Sequence, residues 1–145
     1  MRLKFLALLL LALPLAAFAQ NTPVGTWHTV DDATGKVKST VEIYDAGNGT
    51  LEGKVVELLD SDKGPNAVCD ACKGDKHNQP IVGMVIAWGL KPDGDTWNGG
   101  KIMDPKNGKT YSAKMTPVDG GKKLEVRGYM GFSLLGRTQT WVRVD

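Results

Sequence analysis

From residue 24 onward the chain alternates. Apolar residues recur at every second position in short runs, and each run ends in a cluster of Gly, Asp, Asn or Pro. A period of two is what a strand with one buried face requires, and the clusters punctuate the chain with turns. The first run spans 24–30 and turns at 31–35. In the next run Val37, Ser39, Val41 and Ile43 share one face, and Lys38, Thr40 and Glu42 share the other. A third run, 50–59, loses its alternation at Val55-Val56, which predicts a bulge near Gly53. Residues 81–90 are almost continuously apolar, as expected of a strand covered on both faces. Turn residues at 91–95 lead to runs at 96–103, 109–117, 122–129 and 137–144. Tyr111, Ala113 and Met115 alternate with polar neighbours in the second of these.

The pattern therefore predicts about eight antiparallel strands with mostly tight connections. Eight strands suffice to close a barrel just wide enough for side chains or one small ligand, and closure removes exposed sheet edges. Two connections stand out. Segment 60–79 is long, polar and rich in Lys, Asp and Gly, and long loops in compact domains are commonly functional. Segment 130–136 is apolar and glycine-rich, with Met130, Phe132, Leu134 and Leu135. Its readings are a plug over the barrel end, a lid over a mouth, or a patch for a partner.

The first 23 residues break the alternation. Arg2 and Lys4 precede an apolar stretch at 5–16, and Ala17-Phe18-Ala19 follows as a small-x-small site. This is the form of a secretory signal peptide, residues 1–19, cleaved before Gln20. It leaves a single domain at 20–145. The apolar stretch is shorter than the roughly 20 residues a membrane-spanning helix needs. Gln20 stands where a lipoprotein would carry Cys, so no stable membrane anchor is expected. The predicted location is periplasmic or secreted. Leader removal also changes the charge: the chain has 18 basic and 16 acidic residues, and Arg2 and Lys4 account for the excess. A domain with no net charge and no basic run carries no electrostatic footprint for nucleic acid.

Several longer strings give a resemblance. Gly25-Thr26-Trp27 is similar to the Gly-x-Trp of lipocalin-like barrels. Cys69-Asp70-Ala71-Cys72-Lys73-Gly74 is followed by Pro80-Ile81-Val82-Gly83-Met84, then by Trp97-Asn98-Gly99-Gly100-Lys101-Ile102-Met103-Asp104-Pro105 and Asn107-Gly108-Lys109-Thr110-Tyr111. Arg127-Gly128-Tyr129-Met130-Gly131 and 135–141 close the series. In order and spacing this resembles the exported bacterial family catalogued as domain of unknown function 2147. Met103 departs from the aromatic residue common at that position. The resemblance implies a lipocalin-like, all-β, antiparallel up-and-down barrel outside the cytoplasm, and it implies no reaction. It also implies that Trp27 packs at a closed barrel end against an arginine of the last strand, a role that falls to Arg143.

Chemistry is sparse. Cys69 and Cys72, three apart in an exported loop, favour a structural disulfide. A redox pair would need a helix N-terminus after a βαβ unit. A zinc site built on Cys69, Cys72 and His77 lacks a typical fourth ligand. Residues 60–64 resemble the start of a calcium loop but lack its later ligands. Gly131-Phe132-Ser133-Leu134-Leu135-Gly136 has neither the spacing nor the strand-turn-helix setting of a nucleophile elbow. No carboxylate pair, phosphate loop or catalytic histidine emerges, so no catalytic residue, metal or cofactor is expected.

What remains are the aromatics. Their functional reading is the wall of an apolar cavity, formed by Trp27, Trp88, Tyr111, Tyr129 and Phe132. Their plainer reading is the packed core of a small barrel. Arg127 and Arg137 flank the apolar link, and an inward arginine there would hold a carboxylate head group. Arg127 is taken as that anchor. The leading expectation is a non-enzymatic binder of a small, partly apolar molecule such as a fatty acid. The alternative is a filled barrel that contacts an envelope protein through its outer surface, with a redox or metal protein as a third class.

Overall fold

The computed structural model describes residues 21–132 and 135–145. The predicted signal peptide, and with it Ser133 and Leu134, lies outside these residues. Eight strands follow one another: β1 (Gly25–Val30), β2 (Val37–Asp45), β3 (Leu51–Leu58), β4 (Val85–Asp93), β5 (Thr96–Met103), β6 (Thr110–Val118), β7 (Lys123–Tyr129) and β8 (Gly136–Arg143). Each pairs antiparallel with the next, and β8 returns to β1, so the sheet closes into an up-and-down barrel. Two single 3₁₀ turns, Gly74–Lys76 and Asp119–Gly121, sit in connections.

Alternation settles which side chains fill the barrel. Trp27, Val41, Ile43, Leu51, Val55, Ala87, Leu90, Ala113, Met115, Leu124, Val126 and Trp141 are buried and lie in register across the strands. Burying this set supplies the main driving force for closure. The opposite face carries Glu42, Glu52, Lys54, Lys101, Lys114, Glu125 and Arg127. That charged exterior is the reverse of the apolar band of a transmembrane barrel.

One end of the barrel is sealed. The Arg143 guanidinium lies 4.2 Å from the Trp27 ring centroid. Arg143 also donates to the carbonyls of Gly121 (2.7 Å), Val24 (2.9 Å) and Thr22 (2.7 Å). The Trp27 indole N–H donates to the Pro23 carbonyl at 2.8 Å. The arginine of the last strand thus ties the N-terminal segment, the β6–β7 connection and the first strand together, in the role expected of it.

The ladder is bulged at Gly53, as expected, but the slip at Val55-Val56 has a separate cause, and one strand boundary is corrected. The extra residue of the third strand is Val56, because Val41 pairs with Val55 and Thr40 with Glu57. At Gly53 the additional residues belong to β4, between Val85 and Ala87 and between Ala87 and Leu90. Gly89 there takes φ 71°, and Gly100 of β5 approaches so closely that a Cβ on it would lie 2.4 Å from the Trp88 carbonyl oxygen. The fourth strand also starts later than its apolar run and continues through Asp93. Ile81 and Met84 are apolar because they pack at the end of the long connection, which turns at Gly83 and hydrogen-bonds Met84 N–H to Ile81. As expected, β4 is covered on both sides: Ala87 and Leu90 face inward, and Ile86 is buried beneath the long connection.

The wall is uneven at two seams: β3 pairs with β4 only at Leu51, Gly53 and Lys54, and the β1–β8 seam is short. β1 pairs with β8 through Trp27–Arg143 and His28–Val142, and just beyond β8 the Val144 N–H donates to the Thr26 carbonyl at 2.9 Å. Toward the mouth no further β1–β8 pair forms among the described residues, while β8 stays paired with β7 along its whole length.

Candidate functional site

The end opposite Trp27 is framed by four connections: 31–36, 59–84, 104–109 and 130–135. Here the inward side chains change character. Leu58, Ile102, Tyr111 and Gln139 face the interior by register but are only half-buried. Deeper polar groups are spent on each other. Thr29 and Ser39 hydroxyls lie 2.7 Å apart, and Gln139 Oε1 accepts from the Trp141 indole at 3.0 Å. The mouth therefore has a satisfied polar floor, an apolar inner wall and an apolar rim. On the rim Met130, Phe132 and Leu135 are 52%, 81% and 69% exposed. Leu59 and Val37 add further exposed apolar surface at the same end.

Arg137 also belongs to this end. It pairs with Gly128 on the inward face of β7, and a Cβ on Gly128 would touch Tyr111 and Ile102. Its guanidinium reaches across the open seam to Asp32 of the β1–β2 connection, with Nε to Oδ2 at 3.0 Å and a terminal nitrogen to Oδ1 at 2.5 Å. This bidentate bond holds the Asp32 carboxyl below its ordinary range. Asp31 is lowered too, chiefly by accepting the backbone N–H groups of Thr34 and Ala33.

The residues singled out as a cavity wall do not converge. Trp27 faces inward but lies at the sealed end. Tyr111 faces the mouth, with its hydroxyl 3.3 Å from Asn107 Nδ2. Phe132 stands on the rim. Trp88, Arg127 and Tyr129 are on the outer face and cannot line the interior. Trp88 pairs with Lys101 and lies under the Lys76 ammonium, 5.0 Å from the ring centroid. Tyr129 pairs with Ser112, and Arg127 pairs with Lys114 and bonds Thr138. Arg127 borders a shallow outer groove of about 120 Å³ with Lys114, Thr116, Glu125 and Thr138. The physical reason is parity: Leu124, Val126 and Gly128 occupy the inward positions of β7, which puts Arg127 and Tyr129 outside. Reading β8 back from buried Trp141 would have identified Gln139 and Arg137 as the inward pair.

Known proteins agree with this architecture. The family described as "Uncharacterized protein conserved in bacteria (DUF2147)" matches residues 25–143. The chain belongs to this family. Among solved structures it is similar to protein HP1028 from the human pathogen Helicobacter pylori, which is described as belonging to the lipocalin family. The two share 24% sequence identity and a TM-score of 0.72, over 84% of this chain and 82% of that chain. No curated protein matches the sequence. This member of the DUF2147 family is thus a lipocalin-like, eight-stranded barrel.

The long third connection is pinned by Cys69 and Cys72, which are bonded to each other and buried. Neither sulfur is available as a thiolate for a metal, and His77 directs Nδ1 to the Cys72 carbonyl at 2.9 Å. The sulfurs instead pack on the β5–β6 end of the barrel. Cys69 Sγ lies 3.4 Å from the Pro105 carbonyl and Cys72 Sγ 3.7 Å from Met103 Sδ. Buried Met103 packs against the disulfide. Next to it Gly108 meets the Ala71 carbonyl so closely that any Cβ would overlap it. The same connection holds a cleft of about 380 Å³ beside Lys76, Pro80 and Val82, outside the barrel.

Proposed function

We propose that the protein is a non-enzymatic binder of a small, partly apolar molecule, taken up at the barrel mouth rather than in a deep calyx. The observation that carries this is the combination of inward-facing, half-buried Leu58, Ile102 and Tyr111 with the exposed apolar rim of Met130, Phe132 and Leu135. Packed side chains from Trp27 to Met115 occupy the sealed half, so a ligand's apolar tail would lie against the mouth wall. The lipocalin-like fold is in keeping with this use, and a fatty acid or lipid fragment has the right amphipathic form. The alternative, docking of an envelope protein on the same rim, draws on the 81% exposure of Phe132. Export to the periplasm or beyond fits the leader sequence, and the buried disulfide supports an oxidising compartment.

The test is binding of Nile red and of a fluorescent medium-chain fatty acid to the protein without its leader. Both are expected to gain fluorescence on binding. Phe132→Ser together with Leu135→Ser should weaken binding about tenfold, in line with the loss of two buried apolar contacts. Trp88→Phe and Arg127→Gln, on the outer face, should leave it unchanged. No binding by the unaltered protein, or equal loss from the outer-face variants, refutes the mouth as the site.

A further inference from the structure

The geometry points to Arg137 as the reader of a single carboxylate on the mouth ligand, with Asp32 occupying the place of that carboxylate when no ligand is bound. The inference rests on the mouth reading above and names the ligand's polar end.

The guanidinium is placed where a head group would lie. Arg137 takes an inward position on β8 opposite Gly128, whose own Cβ position touches Ile102 and Tyr111, and it lies two residues after the exposed Leu135 of the rim. An amphiphile with its tail on that wall has its polar end within reach of this side chain. The guanidinium is not sealed into the fold, since the Arg137 side chain is 70% exposed. A planar guanidinium takes a carboxylate through two parallel N–H bonds, and Arg137 already holds Asp32 in that way. Asp32 lies on the β1–β2 connection, beyond the last register pair of β1 with β8. Releasing it breaks no strand pairing.

The surrounding carboxyls narrow the chemistry. Asp31 and Asp104 both act electrostatically on Arg137. Each is committed to its own turn: Asp31 to the N–H groups of Ala33 and Thr34, Asp104 to that of Lys106. They do not compete for the guanidinium, but they repel further negative charge. The site therefore suits a monoanion that replaces Asp32, one charge for one, and disfavours a dianionic phosphate.

Three probes decide the matter: a dansylated fatty acid, its methyl ester, and the corresponding alkylammonium, each titrated into the protein and two variants. Arg137→Gln should lower affinity for the acid about tenfold, the scale of a lost charge-assisted bond, and leave the ester unchanged. Asp32→Asn should raise affinity for the acid severalfold, because the internal competitor is gone. A merely structural role for the ion pair would make both variants move every probe alike, and that result overturns the inference. So would a preference for the alkylammonium, which would make Asp32 the reader instead. If ester and acid bind equally to the unaltered protein and to both variants, the mouth reading stands and the carboxylate reading falls. If none of the probes binds, both fall.

Discussion

At the scale of single residues, the two ends of this barrel are distinguished by two arginines on the same face of one strand. Arg143 is nearly sealed, with its side chain 8% exposed, stacked on Trp27 and bonded to three backbone carbonyls. Removing it leaves those acceptors unsatisfied and strips the indole of its cover. Arg143→Ala should therefore cost about 3 kcal/mol, read as a urea midpoint lowered by about 1.5 M. Arg143→Lys should recover less than half of this, because one ammonium neither stacks as a plane nor spans three acceptors. A midpoint unmoved by Arg143→Ala would mean that the sealed end is held by Trp27 burial alone. Arg137, six residues earlier, is open and bonds the Asp32 side chain. The role of Arg143 was legible in the sequence through Gly25-Thr26-Trp27. That of Arg137 was obscured because Arg127 flanks the same link, and composition does not distinguish the two. Only register does, through Leu124 and Val126 on β7 and Trp141 on β8.

At the scale of elements, alternation located the strands because most have one buried and one solvated face. It failed where another element supplied the cover. Ile81 and Met84 looked like strand because the end of the long connection packs them against the core, while Lys91 and Pro92 looked like turn although they pair with Asn98 and Trp97. The Cys69–Cys72 connection is the element responsible. Its disulfide spans a short loop, so loop-closure entropy contributes little to the barrel itself. Its effect is local, holding the connection against Met103 and Pro105. Replacing both cysteines by serine puts two hydroxyls where apolar sulfur was packed, at a cost of about 1–2 kcal/mol. The barrel's circular dichroism should persist. Trypsin should cut at Lys73 or Lys76 at least about tenfold faster, since proteolysis follows local opening. Because both sulfurs are buried, dithiothreitol should not reduce the native protein until urea opens it. Rapid reduction in native buffer would instead mean that the connection lifts freely.

At the scale of the whole molecule, the barrel is closed but not uniformly so. Six of its seams run most of the length of their strands, β3 pairs with β4 only over its first half, and the β1–β8 seam is paired only beside Trp27. Closure was readable from strand number and turn lengths, because an open meander of eight strands leaves two long edges unprotected. The partial opening was not readable, because nothing in the alternation of 24–30 or 137–144 marks where two distant strands stop pairing. It follows from the shortness of β1, which ends at Val30, against a β8 that runs on to Gly136 at the mouth. The mouth half of β8 thus presents an exposed edge, and Gly136, Arg137, Thr138 and Thr140 are accordingly exposed. Amides held by a strand on each side exchange only when the barrel opens, whereas those on an unpaired edge exchange from the folded state. Antiparallel pairing bonds the Arg137 and Gln139 amides to β7 and leaves those of Gly136, Thr138 and Thr140 on the open side, so hydrogen exchange should be fast at these three, while Arg137, Gln139, Trp141 to Arg143 and the central residues of β7 stay protected. Asp32→Asn should quicken exchange at Gly136, Thr138 and Thr140 further, because the Arg137 bond is the bridge across the gap, and leave the sealed end untouched. Uniform protection along β8 would show that β1 closes the wall completely in solution, which would confine ligand access to the rim.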